Sequence, residues 1–408
     1  MPRIIPPLFF FLFTGFALSF AGQPTAYVVN STGETLSKID LTSETVTNNI
    51  VSLGTDINSF PNQIVIRDTL AYVIASGTDE IQIINLKTEE TVRFYNTGVN
   101  TNPYWMAFYD SQYVYVSLLL TDQIARIDLI DGSISYINTG TAPSGMVIYD
   151  HKLFVVCSNY DFINFNTNPS DIHIYDIGPD TLITVIGIGE NAQYAEADAA
   201  GRIHAVATGD YFSTFGEVYI INGDDYSIVD NFPVGGSPGQ ITIGPDNTAY
   251  LAAAGFSFAG YVFSYNALTG EIYHDNSNPI QVDLNCITAV SYQDSMIFTG
   301  SFTDYINVID SSGQNLAEYA VGSGPSHIAF NYLPGDINGD FEVNILDIVY
   351  YIDYKFKGGP DLPWPRWRGN VNGDYTYNIL DIISLIDYKF KGGSAPRIGA
   401  TWFEVFPE

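Results

Sequence analysis

The amino-acid sequence predicts an all-β seven-bladed propeller followed by a small all-α module. Three observations carry this. One strand pattern recurs seven times at intervals of 40 to 48 residues. No helical periodicity intrudes before residue 345. After Phe330 the texture changes within five residues to an acidic, Asn- and Gly-rich segment that occurs twice.

The repeat runs from about Ala26 to Phe330. Each copy opens with a short Pro- or Asn-led strand, such as Pro61-Asn62-Gln63-Ile64-Val65-Ile66. An apolar strand follows (Leu70-Ala71-Tyr72-Val73-Ile74), then a polar loop and Ile81-Gln82-Ile83-Ile84-Asn85-Leu86. A Thr/Gly turn and a last strand complete the unit. Opening strands start at Pro61, Pro103, Pro143, Asn191, Pro238, Asn285 and Pro325, with spacings of 42, 40, 48, 47, 47 and 40. The third strand returns as Leu36-Ser37-Lys38-Ile39-Asp40-Leu41, Ile124-Ala125-Arg126-Ile127-Asp128-Leu129 and Ile306-Asn307-Val308-Ile309-Asp310. Four short strands rich in Ile, Val, Tyr and Phe at this period mark propeller blades. One such sheet cannot bury both faces alone, whereas seven in a ring bury a continuous core.

The register adds a detail. Ala26-Tyr27-Val28-Val29 is a second strand with no opening strand before it. Pro325-Ser326-His327-Ile328-Ala329-Phe330 is an opening strand with none after it. The last strand is therefore expected to complete the first blade and close the ring. At Tyr27-Val28-Val29-Asn30, Leu36 to Leu41 and Thr45-Val46 the text resembles the YVTN-type seven-bladed propellers. That resemblance covers about three quarters of the chain and implies the fold, while propellers host many unrelated activities.

The acidic repeat places Asp336, Asn338, Asp340, Glu342, Asn344 and Asp347 in one copy, and Asn370, Asn372, Asp374, Thr376, Asn378 and Asp381 in the other, 34 residues on. Calcium takes six to eight oxygens from loop positions 1, 3, 5, 7, 9 and 12. Side-chain oxygens fall at 1, 3, 5, 9 and 12 in both copies, and Glu342 and Thr376 at position 7 serve through backbone carbonyls. Position 12 is Asp, where the standard EF-hand loop has a bidentate Glu. A helix is predicted after each loop, with Leu346, Val349 and Ile352 spaced three apart and a Gly stop at Gly358. Two calcium sites are expected, the second weaker because it has two side-chain carboxylates against three. Position 6 is Phe341 and Tyr375, where a sharp turn normally takes Gly, so some strain is expected.

These residues resemble the dockerin family over about 336–393. The resemblance implies a calcium-folded module that docks onto a cohesin-like protein, with loop positions 10 and 11 selecting the partner. Those are Ile345-Leu346 and Ile379-Leu380, where the cellulosomal form has small hydroxyl residues. The matching pairs are either a docking surface or core packing. Only Asn331 to Gly335 separates propeller from module.

The expected organisation is a signal peptide at 1–21, the propeller at 22–331, the dockerin-type module at 332–395 and a tail at 396–408. Arg3, the apolar stretch Leu8 to Leu18 and the small residues Ser19 and Ala21 mark the leader. The stretch is shorter than the roughly 20 residues a spanning helix needs. A secreted or cell-surface protein without a membrane span is expected. Asp and Glu number 45 against 15 Lys and Arg, a formal charge of −30, which repels nucleic acid and anionic membranes. The two cysteines, Cys157 and Cys286, sit in apolar strands of separate repeats, which excludes a disulfide scaffold and predicts buried free thiols.

No specific catalytic motif is present: neither His-Glu-x-x-His, Gly-x-Ser-x-Gly, a phosphate-binding Gly loop nor a sialidase box. His151, His173, His204, His274 and His327 are scattered, and His327 lies on a predicted channel-side strand. The leading expectation is a secreted, non-catalytic propeller that mediates protein or glycan interaction and is attached through its calcium-folded module. One alternative is a polysaccharide-degrading component of an extracellular complex. Another is a head-to-tail filament subunit, bound to a neighbouring copy of itself and aided by the aromatic tail Thr401 to Phe406.

Overall fold

The computed structural model describes residues 25–67, 69–110, 112–244, 246–254, 259–282, 289–293, 296–300, 303–338, 342–360, 362, 366–372, 377–394 and 396. The expected leader, Cys286, Asp340, Phe341, Asp374, Tyr375, Thr376 and the tail segment Thr401 to Phe406 lie outside these residues.

Seven antiparallel sheets follow one another, six of four strands and one of five. Their opening strands are Pro61–Arg67, Pro103–Phe108, Pro143–Tyr149, Ala192–Ala197, Ser237–Ile243, Ala289–Gln293 and Pro325–Asn331. These strands touch in turn around a ring, the last returning to the first. The seven-bladed propeller read from the sequence is the fold, and it closes as expected. Pro325–Asn331 pairs antiparallel with Thr25–Asn30, Ile328 opposite Val28 and Phe330 opposite Ala26, so the first blade is built from both ends of the repeat region.

The leading prolines have a local cause. Six opening strands shift register at their start, five after the lead residue and the one beginning at Ser237 after Pro238, a bulge at which a ladder N–H is not needed. Pro fits there because it has no N–H to donate. The opening strand of the fifth blade begins at Ala192, one residue after the predicted Asn191. Asn191 has φ +55, a left-handed turn that Asn tolerates and a strand does not use. In the copy predicted to open at Asn285, the strand is described from Ala289.

The core follows from period-2 alternation. Among the described residues seven apolar clusters stand one at each junction between neighbouring blades. Tyr27 and Val29 face Ile64, Ile66 and Val73 of the second blade. Ala26 and Val28, on the other face, meet Phe298, Ile306 and Val308 of the seventh. The remaining junctions repeat this arrangement around the ring. Adjacent side chains of one strand thus serve different cores, and each blade depends on both neighbours.

Among the described residues beyond Asn331 there are two α-helices, α1 (Ile345–Lys357) and α2 (Ile379–Lys391), and a short 3-10 helix, Arg366–Gly369. Among the described residues no helix is long and apolar enough to cross a membrane.

Two measurements test the closure. Phe298, fully buried and edge-on to Phe330 at 5.0 Å, sits at the seam. Phe298→Ala is expected to lower unfolding free energy by about 3–5 kcal/mol in denaturant titration. A chain ending at residue 334 is expected to keep a cooperative calorimetric transition, and a chain ending at 324, without the closing strand, to lose it.

Candidate functional sites: the duplicated loops and the central channel

The two C-terminal units are built alike. Asn344 and Asn378 cap their helices, each side chain accepting the N–H two residues on (Leu346 and Leu380, both 2.7 Å). Asp347 and Asp381 complete the boxes by accepting the N-cap N–H groups at 2.6 and 2.9 Å. Gly358 and Gly392 end the helices in the left-handed conformation. One core receives Ile337, Ile348 and Tyr351 from the first unit and their counterparts Val371, Ile382 and Leu385 from the second.

The position-12 carboxylates also hold the loops. Asp347 Oδ1 accepts the backbone N–H of Ile337 (2.7 Å) and Asn338 (3.1 Å), tying the start of its loop to its end. Asp381 Oδ1 accepts from Asn372 at 3.2 Å. Its Oδ2 accepts from the Tyr351 hydroxyl at 3.3 Å, and that environment holds the phenol far above its ordinary range, desolvation being the larger cause. Asp336, at position 1, is fully buried and paired at 3.2 Å with Arg368 Nη1. The equivalent Asn370 is buried too. Glu342 is exposed and takes a side-chain hydrogen bond from Asn344. The donor set of these described residues is oxygen throughout, which suits a hard divalent cation and not a thiophilic one. The structure ties position 12 of each loop to the backbone N–H of positions 3 and 9; Asp340, Asp374 and Thr376 lie outside the described residues.

The residues after the loops divide sharply. Ile348 and Ile382 are buried. Ile345 and Leu346 are each 56% exposed, and Ile379 and Leu380 are 53% and 51% exposed. Of the two readings left open by the sequence, core packing does not hold for these four. Val349 and Phe356 of the first helix and Ile383 and Phe390 of the second are exposed as well, in matched positions.

The segment joining module to propeller is pinned. Tyr332 packs in the seventh-to-first blade core, and the Arg368 guanidinium lies 4.7 Å from its ring centroid. Gly335, at φ +84 where a side chain would be strained, donates to the Arg368 carbonyl at 3.0 Å.

The second candidate site is the channel, which encloses a cavity of about 220 Å³. Two tiers of opening-strand residues line it. Third positions supply Gln63, Trp105, Gln240 and His327, with Tyr194 on the fifth blade packed against Trp105. The Trp105 ring stands edge-on to Tyr194 at 5.6 Å and to His327 at 5.5 Å. The Tyr104 and Tyr194 hydroxyls are 3.1 Å apart. Gln63 is locked by accepting the Met106 N–H at 2.7 Å and donating to its carbonyl at 3.4 Å.

Two residues further along each strand the wall is Val65, Ala107, Val147, Thr242 and Ala329, with one carboxyl, Glu196. Burial alone raises the Glu196 pKa from 4.5 to about 8, and burial alone lowers that of His327 from 6.5 to about 4. Near neutral pH the channel therefore holds an uncharged acid and an uncharged imidazole. His327 Nδ1 is buried without a hydrogen-bond partner. Sequence reasoning placed His327 on a channel-side strand but missed Glu196, Trp105 and Tyr194. The available signal was a polar or aromatic residue at the third or fifth place of an opening strand otherwise filled by small and apolar ones.

Among known proteins, no family model matches the chain and no curated protein matches it. Solved structures do. A quinoprotein alcohol dehydrogenase-like protein from Bacteroides thetaiotaomicron superposes with TM-score 0.57 at 17% identity, over 77% of this chain and 79% of that one. A functionally unknown protein from Desulfotomaculum acetoxidans gives 0.56 at 14%, over 76% and 99%. Virginiamycin B lyase from Staphylococcus aureus gives 0.54 at 13%, over 67% and 87%. At such identities the likeness is one of fold.

Glu196 makes a pH dependence measurable. Its folded pKa lies above its unfolded value, so its contribution is fully present below about 4.5 and is lost as pH rises through about 8. His327 has the opposite shift, losing its contribution as pH falls from 6.5 through about 4. Between pH 6.5 and 8 only the Glu196 effect remains of the two. Glu196→Gln is expected to flatten the fall in melting temperature across that interval; an unchanged profile would show the carboxyl is not desolvated.

Proposed function

We propose that the chain is an exported, non-catalytic propeller that presents an interaction surface and is held to a partner protein through a calcium-folded module of dockerin type. The observation that carries this is the division of the helix residues. Equivalent apolar pairs, Ile345-Leu346 and Ile379-Leu380, face solvent immediately after the loops, while Ile348 and Ile382 fill the core. Contiguous exposed apolar surface that recurs in two copies marks a binding face.

The residues present fit calcium. In the first loop Asp336, Asn338, Asp340, Asn344 and Asp347 would hold it with the Glu342 carbonyl; in the second, Asn370, Asn372, Asp374, Asn378 and Asp381 with the carbonyl of Thr376. The ion supplies positive charge to buried carboxylates, which are costly to enclose without it. The chain's own residues do the rest: the capping boxes fix where each helix starts, and the shared core sets the two exposed pairs on one module. Support for export is the N-terminal pattern around Arg3, Leu8 to Leu18 and Ala21. The partner best matched to the module is a cohesin-like protein.

The test is capture from the extracellular fraction with the full chain immobilised, once in calcium and once in chelator. Retention of a specific partner only in calcium is expected, lost in Asp347→Ala/Asp381→Ala. The variant Leu346→Asp/Leu380→Asp is expected to lose the partner while still folding in calcium. A module whose helices persist in chelator would overturn the calcium reading. Calcium-dependent polymers of the chain alone would instead assign the face to a second copy. Calorimetry is expected to show two unequal calcium sites, the tighter one removed by Asp336→Ala.

A further inference from the structure

The fourth blade carries a side-chain cluster that neither the channel nor the C-terminal module uses. Cys157 ends the strand Lys152–Cys157 and stands opposite Asp171 of the neighbouring strand Pro169–Asp176. His173 follows Asp171 by two residues, which puts it on the same face of the sheet. One ligand atom from each of Cys157, Asp171 and His173 lies within 4.8 Å of the other two.

An ion pair beside a buried thiol would explain part of this. His173 Nε2 is 3.0 Å from Asp171 Oδ1. Yet Asp171 Oδ1 is buried and makes no hydrogen bond of acceptable geometry. The carboxylate is nevertheless held in place, since Asn159 Nδ2 donates to its other oxygen at 3.1 Å. Three donor atoms of different chemistry thus converge, with the carboxylate oriented from behind by Asn159, while His173 Nδ1 has no partner of its own.

Gly140 supplies an independent observation. A Cβ on this residue would lie 2.6 Å from His173 Nε2 and 2.8 Å from Cys157 Sγ. Gly140 does not have the positive φ that would itself require glycine. Its missing side chain is what leaves space beside both donor atoms. An alanine there would fill the place toward which the nitrogen and the sulfur converge.

We propose that Cys157, Asp171 and His173 form a three-ligand site for a zinc-class divalent cation, beside Gly140, with a fourth place left for water or another exogenous ligand. Sulfur, nitrogen and oxygen donors in one set select zinc over calcium and magnesium, which take oxygen. Binding replaces the Cys157 S–H bond by a thiolate–metal bond and releases one proton to solvent, with no change of oxidation state. The site is chemically separate from the oxygen-lined loops at the C-terminus, so it stands or falls independently of the calcium reading.

The experiment uses the full chain in saturating calcium, stripped of transition metals and then titrated with zinc or cobalt(II). One tightly held equivalent of zinc is expected, and cobalt is expected to give thiolate-to-metal charge-transfer absorption. That absorption should persist in Cys286→Ser and vanish in Cys157→Ser. Asp171→Asn should weaken zinc binding by roughly ten-fold or more. Gly140→Ala, which leaves all three ligands in place, should abolish binding by filling the space, and it serves as the test if Cys157→Ser does not fold. Failure of the folded wild-type chain to retain zinc, or a cobalt–thiolate band that survives Cys157→Ser, would overturn the proposal.

Discussion

The pairing of Thr25–Asn30 with Pro325–Asn331 is the constraint on which the propeller depends. Every blade has its two faces in two different cores, so no blade is complete without both neighbours. A ring of such sheets has no natural end unless one blade is assembled from the two extremes of the chain. The closing strand does this with an antiparallel ladder and with Ile328 and Phe330, which enter the same cluster as Ala26, Val28 and Phe298. The cost is a contact between residues about 300 positions apart, which must form before the first and seventh blades share a core.

The ring also explains the electrostatics of the channel. Opening strands point alternate side chains inward, and small or apolar residues there would give an inert bore. Glu196 and His327 break that rule, and burial drives each toward its uncharged form. The rest of the molecule shows the opposite regime. Half-buried turn carboxylates such as Asp210 and Asp161 accept several hydrogen bonds and are held below the usual carboxylate range. The two channel groups are thus shifted toward their uncharged forms, while these turn carboxylates are shifted toward their charged form.

The fold was largely legible in the sequence because propeller repeats write their period in strand-forming residues and bulge prolines. The closing strand was legible for the same reason: Pro325 to Phe330 matches the opening strands and has nothing after it. The strand start at Ala192 was off by one because Asn can lead a strand or turn before it, and the text does not distinguish these. The helix after each loop was legible because the N-cap Asn, the Asp three residues on and the closing Gly stand along one short stretch of chain. The channel residues were not, since Trp105, Tyr194 and Glu196 belong to different blades and meet only through ring closure. The cluster of Cys157, Asp171 and His173 was hidden likewise, as Gly140 reaches it from the end of the preceding blade.

Tyr332 belongs at once to the seam of the propeller and to the foot of the module, packed in one and lying beneath Arg368 of the other. The closing strand ends one residue earlier, at Asn331. Whatever holds the module therefore holds the ring by its latch. A mechanical load applied at the anchor reaches the latch strand before any other part of the propeller, with almost no slack chain to absorb it. Were the module held by a partner, as proposed above, that single ladder and its aromatic packing would bear the load first.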